Sequence, residues 1–488
     1  MNKGILVILD GYGEGKPYEY NAVTNAKTPT LKSLKKQSYS LLKTHGESVG
    51  LFESEMGGSE VGHTTIGAGR IIKSTAKLIR DEIITKDFYK NKVLHSTISK
   101  LKKNSGDLHL MGLMSDKNIH SNIEHCLAIV DYAKDLVRNI YIHFITDGRD
   151  SGPYDSIKYL KLLKKYIKNI KNCSILSVSG RFYAMDRENH EERINEAFNA
   201  AFKPNSTISN VAQYLKAQHE AGNNDQYVKP IGVKSKTFMG VSKHDCLLFF
   251  NFREDRLRQM VKKCESLKCD IVTMSDVGGV KSKVMYPSKI VDNTLSEYLS
   301  INGLKQIKIG ESTKYAHVTY FLNGGIEQPF VGEDRVHVPS EEVDDFSKTP
   351  KMKAEKITDE TINAIKKGYD AIIVNYSNAD MVGHTGDYDA TVKSLECVDK
   401  CVKKVVKEAE ESGYFVMITA DHGNAEEMRT KNGEVNMAHS INPVMCVVAN
   451  SGLEMEKNGE LKDVAPTFVE LLGLKPNKHF EGKSLIKK

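Results

Sequence analysis

Short apolar runs that end at a polar residue recur along this chain, and they predict the strands of an α/β fold. Residues 4–10 form one such run, closed by Asp10, and Ala371–Asn375 and Tyr414–Ala420 repeat the pattern far downstream. The helix expected between the last two has apolar residues at helical spacing: Val392, Leu395, Val398, Val402 and Val405. Alternating strands and helices predict a parallel sheet, which binds ligands at the carboxyl ends of its strands.

The middle of the chain shows the same alternation, but arginines follow its strands. Three predicted strands lead to an arginine: His143–Thr146 to Arg149, Cys173–Val178 to Arg181, and Cys246–Asn251 to Arg253. We therefore predict a second α/β domain, 76–288, inserted into a first domain made of 1–75 and 289–488. The linkers are expected near Ser74–Lys77 and Tyr286–Lys289.

Two local signals make further predictions about the first domain. Thr28 and Pro29 have the residue types of an N-cap and a first-turn proline, which predicts a helix through about Gln37. By contrast, the stretch Ser54–Arg70 is so rich in glycine that we predict neither a plain helix nor a strand there.

Composition narrows the class of protein. The chain has 488 residues, 40% hydrophobic and 27% charged, which is typical of globular proteins with about two to four domains. The apolar run Ile5–Leu9 is too short for a signal-peptide core, and no run approaches the ~18 residues of a membrane span. The net charge of +6 is modest and does not indicate a nucleic-acid partner. We expect a cytoplasmic protein that binds neither membrane nor nucleic acid.

The cysteine content also indicates a cytoplasmic protein. There are eight, with no C-x-x-C pair, which is not a disulfide framework and fits a reducing cytoplasm. Cys397 and Cys401 lie four apart on a predicted helix, where they could form a metal clip or pack in the core. We predict core packing.

Arginine is used sparingly and in one region. Only 12 of the 69 basic residues are arginine, and nine of those lie between Arg80 and Arg258. A guanidinium group grips a carboxylate or phosphate with two parallel donors, which lysine cannot do. The cluster therefore indicates an anionic ligand for the inserted domain, with a chance group of surface arginines as the alternative.

Aspartate and histidine follow the predicted strands of the first domain at four separated places. They are Asp10, Asp380 with His384, Asp421 with His422, and His439. Six such ligands without a thiolate suit hard or borderline divalent ions such as Mn²⁺ or Zn²⁺. Each alone is compatible with a cap or loop residue, but together they predict a two-metal centre.

Ser59, within Met56–His63, is the candidate nucleophile. A serine hydroxyl needs a base or a metal to become reactive, and two metals would also clamp the oxygens of a phosphoryl transfer. The alternative is an ordinary Gly-Ser loop.

Several motifs in a fixed order carry a resemblance to a known family. They are Leu9–Gly13, Met56–His63, Asp147–Asp150, Gly180–Arg187, Asn251–Arg256, Lys314–Thr319, Asp380–His384, Thr419–Asn424 and His439–Pro443. Over almost its whole length the chain resembles the cofactor-independent phosphoglycerate mutases of the alkaline phosphatase superfamily. The resemblance implies an alkaline-phosphatase-like three-layer metal domain, discontinuous in sequence, with an inserted α/β domain. It also implies interconversion of 3-phosphoglycerate and 2-phosphoglycerate in glycolysis and gluconeogenesis, without 2,3-bisphosphoglycerate.

The resemblance further implies a role for each matching residue. Ser59 would carry the phosphoryl group in transit. Asp380, His384 and His439 would hold one Mn²⁺, and Asp10, Ser59, Asp421 and His422 the other. The substrate would be held by His120, Arg149, Asp150, Arg181, Arg187, Arg253 and Arg256, with Lys314 of the metal domain reaching the phosphate. We choose Asp150 as the general acid and base, because each half-reaction protonates one hydroxyl and deprotonates another.

Three positions depart from the family pattern. Gly58 replaces an asparagine before the nucleophile, Asn122 replaces a histidine, and Glu254 replaces a proline. None of these removes a metal ligand or the nucleophile, but at Gly58 one polar contact near the phosphate is either missing or supplied by another residue.

Two other functions compete with this interpretation. Another metal-dependent phosphatase or phosphomutase of the superfamily, such as a phosphopentomutase, would share the metal ligands but not the arginine set. A catalytically idle binding protein would not need an intact nucleophile and ligand set. We expect a monomer whose only partner is the small-molecule substrate.

Overall fold

The computed structural model describes residues 2–288 and 290–487, and the chain divides into two compact units. One, the discontinuous unit, is Met1–Ser74 with Lys289–Lys488; the other, the inserted unit, is Thr75–Ser288. Lys289, the last residue of the predicted return linker, lies outside the described residues.

The discontinuous unit is built on an eight-stranded sheet. Across the sheet the strands are Glu333–Val338, Gln306–Glu311, Ala371–Tyr376, Lys3–Leu9, Tyr414–Thr419, Val444–Ala449, Tyr39–Lys43 and Asn458–Glu460. The first five run parallel, and Val444–Ala449 is antiparallel to both of its neighbours. Ile8 pairs with both Asn375 and Thr419, so the residues that follow these three strands meet at one edge.

Helices cover both faces of this sheet. All six residues of Ala371–Tyr376 and of Tyr414–Thr419 are buried, and alternate residues of a strand point to opposite faces, so neither face is open to solvent. The helices of this unit are Ala22–Asn25, Pro29–Gln37, Ser59–Ala68, Leu295–Ile301, Ser312–Ala316, Ala354–Lys367, Asn378–Gly383, Tyr388–Glu411 and Val464–Leu471, with a π-helical turn at His317–Phe321. The result is a three-layer arrangement.

The inserted unit has its own eight-stranded sheet. In spatial order its strands are Lys283–Val284, Asp270–Thr273, Cys246–Phe249, Leu108–Leu113, Ile140–Thr146, Cys173–Gly180, Ile231–Val233 and Thr207–Ile208. The first six are parallel. Its helices are Thr75–Thr85, Lys92–Asn104, Ile123–Ala133, Ser156–Ile167, Arg181–Ala184, Glu191–Phe202, Val211–Glu220 and Arg258–Cys264.

The glycine-rich stretch around Ser59 corrects one prediction, because Ser59–Ala68 is a regular helix. Its glycines allow close approach of other segments. A Cβ on Gly62 would lie 2.8 Å from the Cβ of Asp421, and one on Gly67 would lie 2.0 Å from the carbonyl oxygen of Leu322. Each glycine costs about 1 kcal/mol of helix propensity. The close packing of these glycines against Asp421 and Leu322 offsets this cost, and a larger residue would not fit there. The local sequence does not show such packing.

The helix predicted after Thr28 is Pro29–Gln37, but its cap differs from the expectation. The Thr28 side chain makes no capping hydrogen bond. Instead Asp399, far along the chain, accepts hydrogen bonds from the backbone N–H groups of Thr30 and Leu31 at 3.2 and 2.9 Å. The N-terminus is therefore satisfied by a tertiary contact.

The cysteines are all free, and Cys397 and Cys401 are both buried in the helix Tyr388–Glu411. Over the described ranges, no helix combines the length and the apolar character that crossing a membrane requires.

Candidate active site

The carboxyl edge of the first sheet brings together two aspartates that are far apart in sequence. Asp10 directly follows Lys3–Leu9, and Asp421 follows Tyr414–Thr419 by one residue; both are fully buried. Asn375, near the end of the neighbouring strand, donates a 2.9 Å hydrogen bond to Asp10 Oδ2. The strand ends thus supply the first half of the site.

The second half comes from the short helix Asn378–Gly383 and from a loop. Asp380 lies in the first turn of this helix, and His384 follows its last residue. The Nε2 atoms of His384 and His439 lie 3.1 and 3.3 Å from Asp380 Oδ1. The rings of His422 and His439 stack with centroids 3.9 Å apart. His422 lies between the two halves, with Nε2 3.5 Å from Asp10 Oδ1 and 3.9 Å from Asp380 Oδ1.

The hydroxyl of Ser59 lies at the centre of these groups. Ser59 is the first residue of its helix, and its Oγ is 3.2 Å from Asp10 Oδ1 and 3.0 Å from His422 Nε2. Lys314 donates a 2.6 Å hydrogen bond to the same Oγ and another of 2.6 Å to Asp380 Oδ2. A cavity of about 430 Å³ opens over Ser59, Lys314 and the histidines of the second half.

The charged groups of this cluster change one another's pKa values. Burial raises the pKa of Asp10, but the Lys314 ammonium and the hydrogen bond with His422 outweigh it, so the pKa lies below its usual range. Burial lowers the pKa of Lys314, but Asp10 and Asp380 raise it above the ordinary value. Burial also opposes a charge on His422, yet the Asp421 carboxylate and the hydrogen bond with Asp10 raise its pKa to about 9. A hydrogen bond with Asp380 raises the pKa of His384.

This donor set fits divalent metal ions. Two trios, Asp380 with His422 and His439, and Asp10 with Asp421 and His422, each have ligand atoms within 4.8 Å of one another. The Nδ1 atoms of His384 and His439 lie 2.6 and 2.8 Å from backbone carbonyl oxygens, which leaves both Nε2 atoms facing the site. Asp421 Oδ2 is buried, and among the described residues it accepts no well-aligned hydrogen bond, although His63 Nδ1 lies 3.2 Å and His422 Nε2 3.5 Å away. An oxygen in this state is suited to binding a cation.

In the inserted unit, four of the predicted arginines line one cavity. It has a volume of about 260 Å³ and includes Arg149, Arg181, Arg187 and Arg256 in its lining. Burial lowers the pKa of Arg256, and the neighbouring Arg181, Arg187 and Arg149 guanidinium groups lower it further. Like charges converge here without enough carboxylates to balance them, an arrangement suited to an anion.

Arg181, only 3% exposed in its side chain, is fixed by two aspartates. Its Nη1 lies 2.6 Å from Asp147 Oδ1 and 2.8 Å from Asp150 Oδ2. Asp147 also accepts hydrogen bonds from the backbone N–H groups of Arg149, Asp150 and Ser151, so it holds the whole turn after its strand.

His120 and Arg253 belong to a second group around Asp255. His120 Nδ1 lies 3.5 Å and Arg253 Nε 3.2 Å from Asp255 Oδ1. Burial, together with Arg181, lowers the pKa of His120 to about 4. Asp150 lies 3.9 Å from His120 Nε2 and so joins this group to Arg181. Asn122, one of the departures from the family pattern, caps the next helix by accepting from the N–H of Glu124.

Some residues of the two clusters carried no assigned role in the sequence analysis. They are His63, Asn375 and Asn424 in the discontinuous unit, and Asp147 and Asp255 in the inserted unit. Four of them lie inside the motifs that carry the resemblance, and Asn375 is the last residue of the predicted strand Ala371–Asn375. His63 would have been found if Ser59–Ala68 had been expected to be helical, since residues four apart then share a face.

Comparisons with known proteins agree with this donor set. The Metalloenzyme superfamily model matches residues 2–476, which makes the chain a member of a superfamily of metal-dependent enzymes. The chain is 41% identical to 2,3-bisphosphoglycerate-independent phosphoglycerate mutase 2 of Methanosarcina barkeri, over 99% of this chain and 98% of that protein. It is 40% identical to the 2,3-bisphosphoglycerate-independent phosphoglycerate mutase of Ehrlichia canis, again over 99% and 98%.

A solved structure is also similar to this chain over its full length. Crystal structures of Leishmania mexicana phosphoglycerate mutase at low cobalt concentration match 100% of this chain and 98% of theirs, at 29% identity and a TM-score of 0.65. The chain therefore belongs to the family of 2,3-bisphosphoglycerate-independent phosphoglycerate mutases. The α/β fold class predicted from the sequence is confirmed.

Proposed function

We propose that this protein interconverts 3-phosphoglycerate and 2-phosphoglycerate through a phosphorylated Ser59, without 2,3-bisphosphoglycerate. The observation that carries the proposal is the environment of the Ser59 hydroxyl. A lysine, a histidine and an aspartate all lie within 3.2 Å of Oγ in a chain of this family. The Lys314 ammonium and a protonated His422 would favour the alkoxide, which is the form that attacks phosphorus, and Asp10 orients the hydroxyl by accepting its hydrogen bond.

Ser59 is also well placed to accept a phosphoryl group. It opens a ten-residue helix whose N-cap, Gly58, has no side chain to occupy the first-turn N–H groups. Free N–H groups at a helix N-terminus favour an anion. The Lys314 ammonium, which bonds to Ser59 Oγ, would also stabilise the negative charge of the phosphoryl group. It would thereby replace the polar contact that the family pattern has at position 58.

Two divalent ions, in our proposal Mn²⁺, would complete the site. Asp380, His384 and His439 would hold one, and Asp10, Ser59, Asp421 and His422 the other. When bound, such ions lower the pKa of a coordinated hydroxyl and neutralise charge on phosphoryl oxygens.

The inserted unit would hold the glycerate during the exchange. The four cavity arginines would bind the substrate anion, with His120 and Arg253 beside them. Asp150 would pass a proton between the two glycerate hydroxyls, and its 2.8 Å contact with Arg181 would hold the carboxylate in place. We propose that the enzyme acts as a monomer in the cytoplasm.

The test is to supply 3-phosphoglycerate and Mn²⁺ and to follow phosphorus NMR. We expect 2-phosphoglycerate to appear with no added bisphosphoglycerate and with little inorganic phosphate. Release of phosphate without 2-phosphoglycerate would instead identify a phosphatase, and no reaction would contradict catalysis altogether. The same assay with Co²⁺ and Zn²⁺ tests the choice of metal.

A further inference from the structure

His63 contacts one half of the metal-ligand cluster and not the other. It is fully buried, one helical turn after Ser59. Its Nδ1 lies 2.9 Å from the carbonyl oxygen of Ser59 and 3.2 Å from Asp421 Oδ2, and its Nε2 lies 3.0 Å from Asn375 Nδ2. The Asn375 amide nitrogen also bonds to Asp10 Oδ2 at 2.9 Å. These contacts reach Ser59, Asp421 and, through Asn375, Asp10.

The direction of each hydrogen bond follows from the chemistry of the partners. The ionised Asp10 carboxylate can only accept, so the Asn375 atom that faces it is the amide nitrogen, which donates. The same nitrogen uses its second hydrogen toward His63, so Nε2 must accept. In a neutral imidazole the proton is then on Nδ1, which points toward the Ser59 carbonyl and Asp421. Within the described residues the Asn375 carbonyl oxygen is buried without a partner, so its two donated bonds alone orient this amide.

We propose that His63 and Asn375 are positioning residues that hold Asp10, Asp421 and the Ser59 backbone in the arrangement that binds one of the two divalent ions. The inference rests on the proposed function, because it needs a two-metal centre. It goes beyond that function by assigning the two residues to one ion alone. Partners that orient metal ligands typically change metal affinity 10–100-fold when they are removed.

The other ion has a separate support in the structure. Asn424, also buried, donates a 3.0 Å hydrogen bond to Asp380 Oδ1. Asn424→Ala therefore serves as the matched control, because it removes one amide donor from the opposite half of the same site.

The experiment measures Mn²⁺ binding to the metal-free full-length protein by calorimetry. Each ion is isolated by a background substitution: Asp380→Asn leaves the Asp10/Asp421 half intact, and Asp421→Asn leaves the Asp380 half intact. We expect His63→Leu to lower Mn²⁺ affinity about 10–100-fold in the Asp380→Asn background and to leave it unchanged in the Asp421→Asn background. Asn424→Ala should show the opposite pattern.

Two conservative variants separate positioning from simple core filling. Asn at position 63 reaches the place of Nδ1 and can donate there, whereas Gln reaches the place of Nε2 and can accept from Asn375. We expect His63→Asn and His63→Gln each to restore part of the Mn²⁺ affinity lost in His63→Leu. If the leucine variant does not fold, these two variants decide whether His63 positions the ligands or only fills the core.

The outcomes separate the two proposals. A parent protein that binds fewer than two Mn²⁺ ions contradicts the two-metal centre itself. A parent that binds two, with His63→Leu affecting both backgrounds equally or neither, overturns the positioning role while leaving the proposed function intact.

Discussion

The discontinuous unit gathers buried carboxylates and histidines around one ammonium group, whereas the inserted unit gathers guanidinium groups around a few aspartates. In the first, Asp10 and Asp421 are fully buried and Lys314 is 4% exposed, so the charges neutralise one another inside the protein. In the second, Arg187 and Arg253 keep about half of their side chains exposed, at 50% and 53%. One cluster is built for small cations, and the other retains an excess of positive charge for an anion.

The two clusters need side chains that are held with different rigidity. Metal ligands must be held within tenths of an ångström, which suits strand ends and short helices locked by second hydrogen bonds. An anion that binds and leaves is better served by long side chains that are only partly desolvated. Arg181, which is anchored by Asp147 and Asp150, is held more firmly than the half-exposed Arg187 and Arg253.

The largest effect should come from Ser59→Ala, which removes chemistry from the discontinuous unit alone. We expect mutase activity to fall at least about a thousandfold, because among the described residues that line the cavity over the cluster Ser59 alone carries a hydroxyl. The measurement is steady-state turnover beside the thermal unfolding midpoint, which should not change. Ser33→Ala, on the exposed face of Pro29–Gln37, is the matched control and should remain fully active. Turnover of the Ser59 variant above this limit would remove Ser59 from the mechanism.

Acid should weaken Mn²⁺ binding in the discontinuous unit. The raised pKa of His422, about 9, means that a proton occupies a proposed ligand at neutral pH in the metal-free protein. Below that pKa the competing proton on His422 costs about tenfold in Mn²⁺ affinity per pH unit. Activity should therefore fall on the acid side and recover when Mn²⁺ is raised.

The metal-free protein should show the opposite trend. A histidine whose pKa is raised by folding stabilises the fold fully below about 6.5, and this contribution is lost as the pH rises toward 9. Calorimetric unfolding of the metal-free protein between pH 6.5 and 9 measures it. For the activity described in the preceding paragraph, a loss in acid that does not depend on the Mn²⁺ concentration would contradict the assignment of the histidines as metal ligands.

Buried histidines of the inserted unit should respond to acid with a loss of stability. Burial outweighs the nearby Asp245 and lowers the pKa of His109 to about 4, and burial together with His109 lowers that of His143. A lowered pKa gives stability that is present above about 6.5 and lost as the pH falls toward 4, about 2 kcal/mol at pH 5 for His109 alone.

Hydrogen exchange in Leu108–Leu113 and Ile140–Thr146, the strands that carry these histidines, measures this loss. His109→Gln should reduce it, and His95→Gln, on an exposed position of Lys92–Asn104, should not. Equal acid sensitivity in all three proteins would show that other groups control it.

The smallest effect tests whether the arginine cluster retains the glycerate. Arg256→Lys keeps the charge but loses the planar pair of donors, so the glycerate should leave more often and water should reach the phosphoserine. We expect phosphate release per isomerisation to rise several-fold. Arg258→Lys, two residues away and bonded to the Val277 carbonyl, is the control. If the ratio of phosphate release to isomerisation is unchanged in Arg256→Lys, Arg256 does not retain the substrate.

Much of the metal site was predictable because strand ends are marked locally. An apolar run that stops at Asp10, or at Asp421 after Tyr414–Thr419, shows where a parallel strand ends, and parallel strands end together. The structure places Asp10, Ser59, Asp380, His384, Asp421, His422 and His439 in one cluster with Lys314. The roles assigned to them remain predictions.

What could not be predicted depends on contacts between distant segments. The helix Ser59–Ala68 packs Gly62 and Gly67 closely against Asp421 and Leu322, and no local rule reports such contacts. Missing the helix also meant missing His63, whose position follows from helical spacing. Asp255 was missed for a similar reason, since an aspartate between two arginines resembles an ordinary surface residue until its contact with His120 is known.

The position of Lys3–Leu9 in the middle of its sheet has a consequence for synthesis on the ribosome. Both of its neighbours, Ala371–Tyr376 and Tyr414–Thr419, emerge long after it does. The strands of the inserted unit, by contrast, all lie within Thr75–Ser288 and can pair while translation continues. A strand whose last five residues are all apolar therefore stays unpaired while another sheet is completed, and an exposed strand of this kind is a site of aggregation. A chaperone that covers Lys3–Leu9 until its two neighbours have emerged would prevent this aggregation.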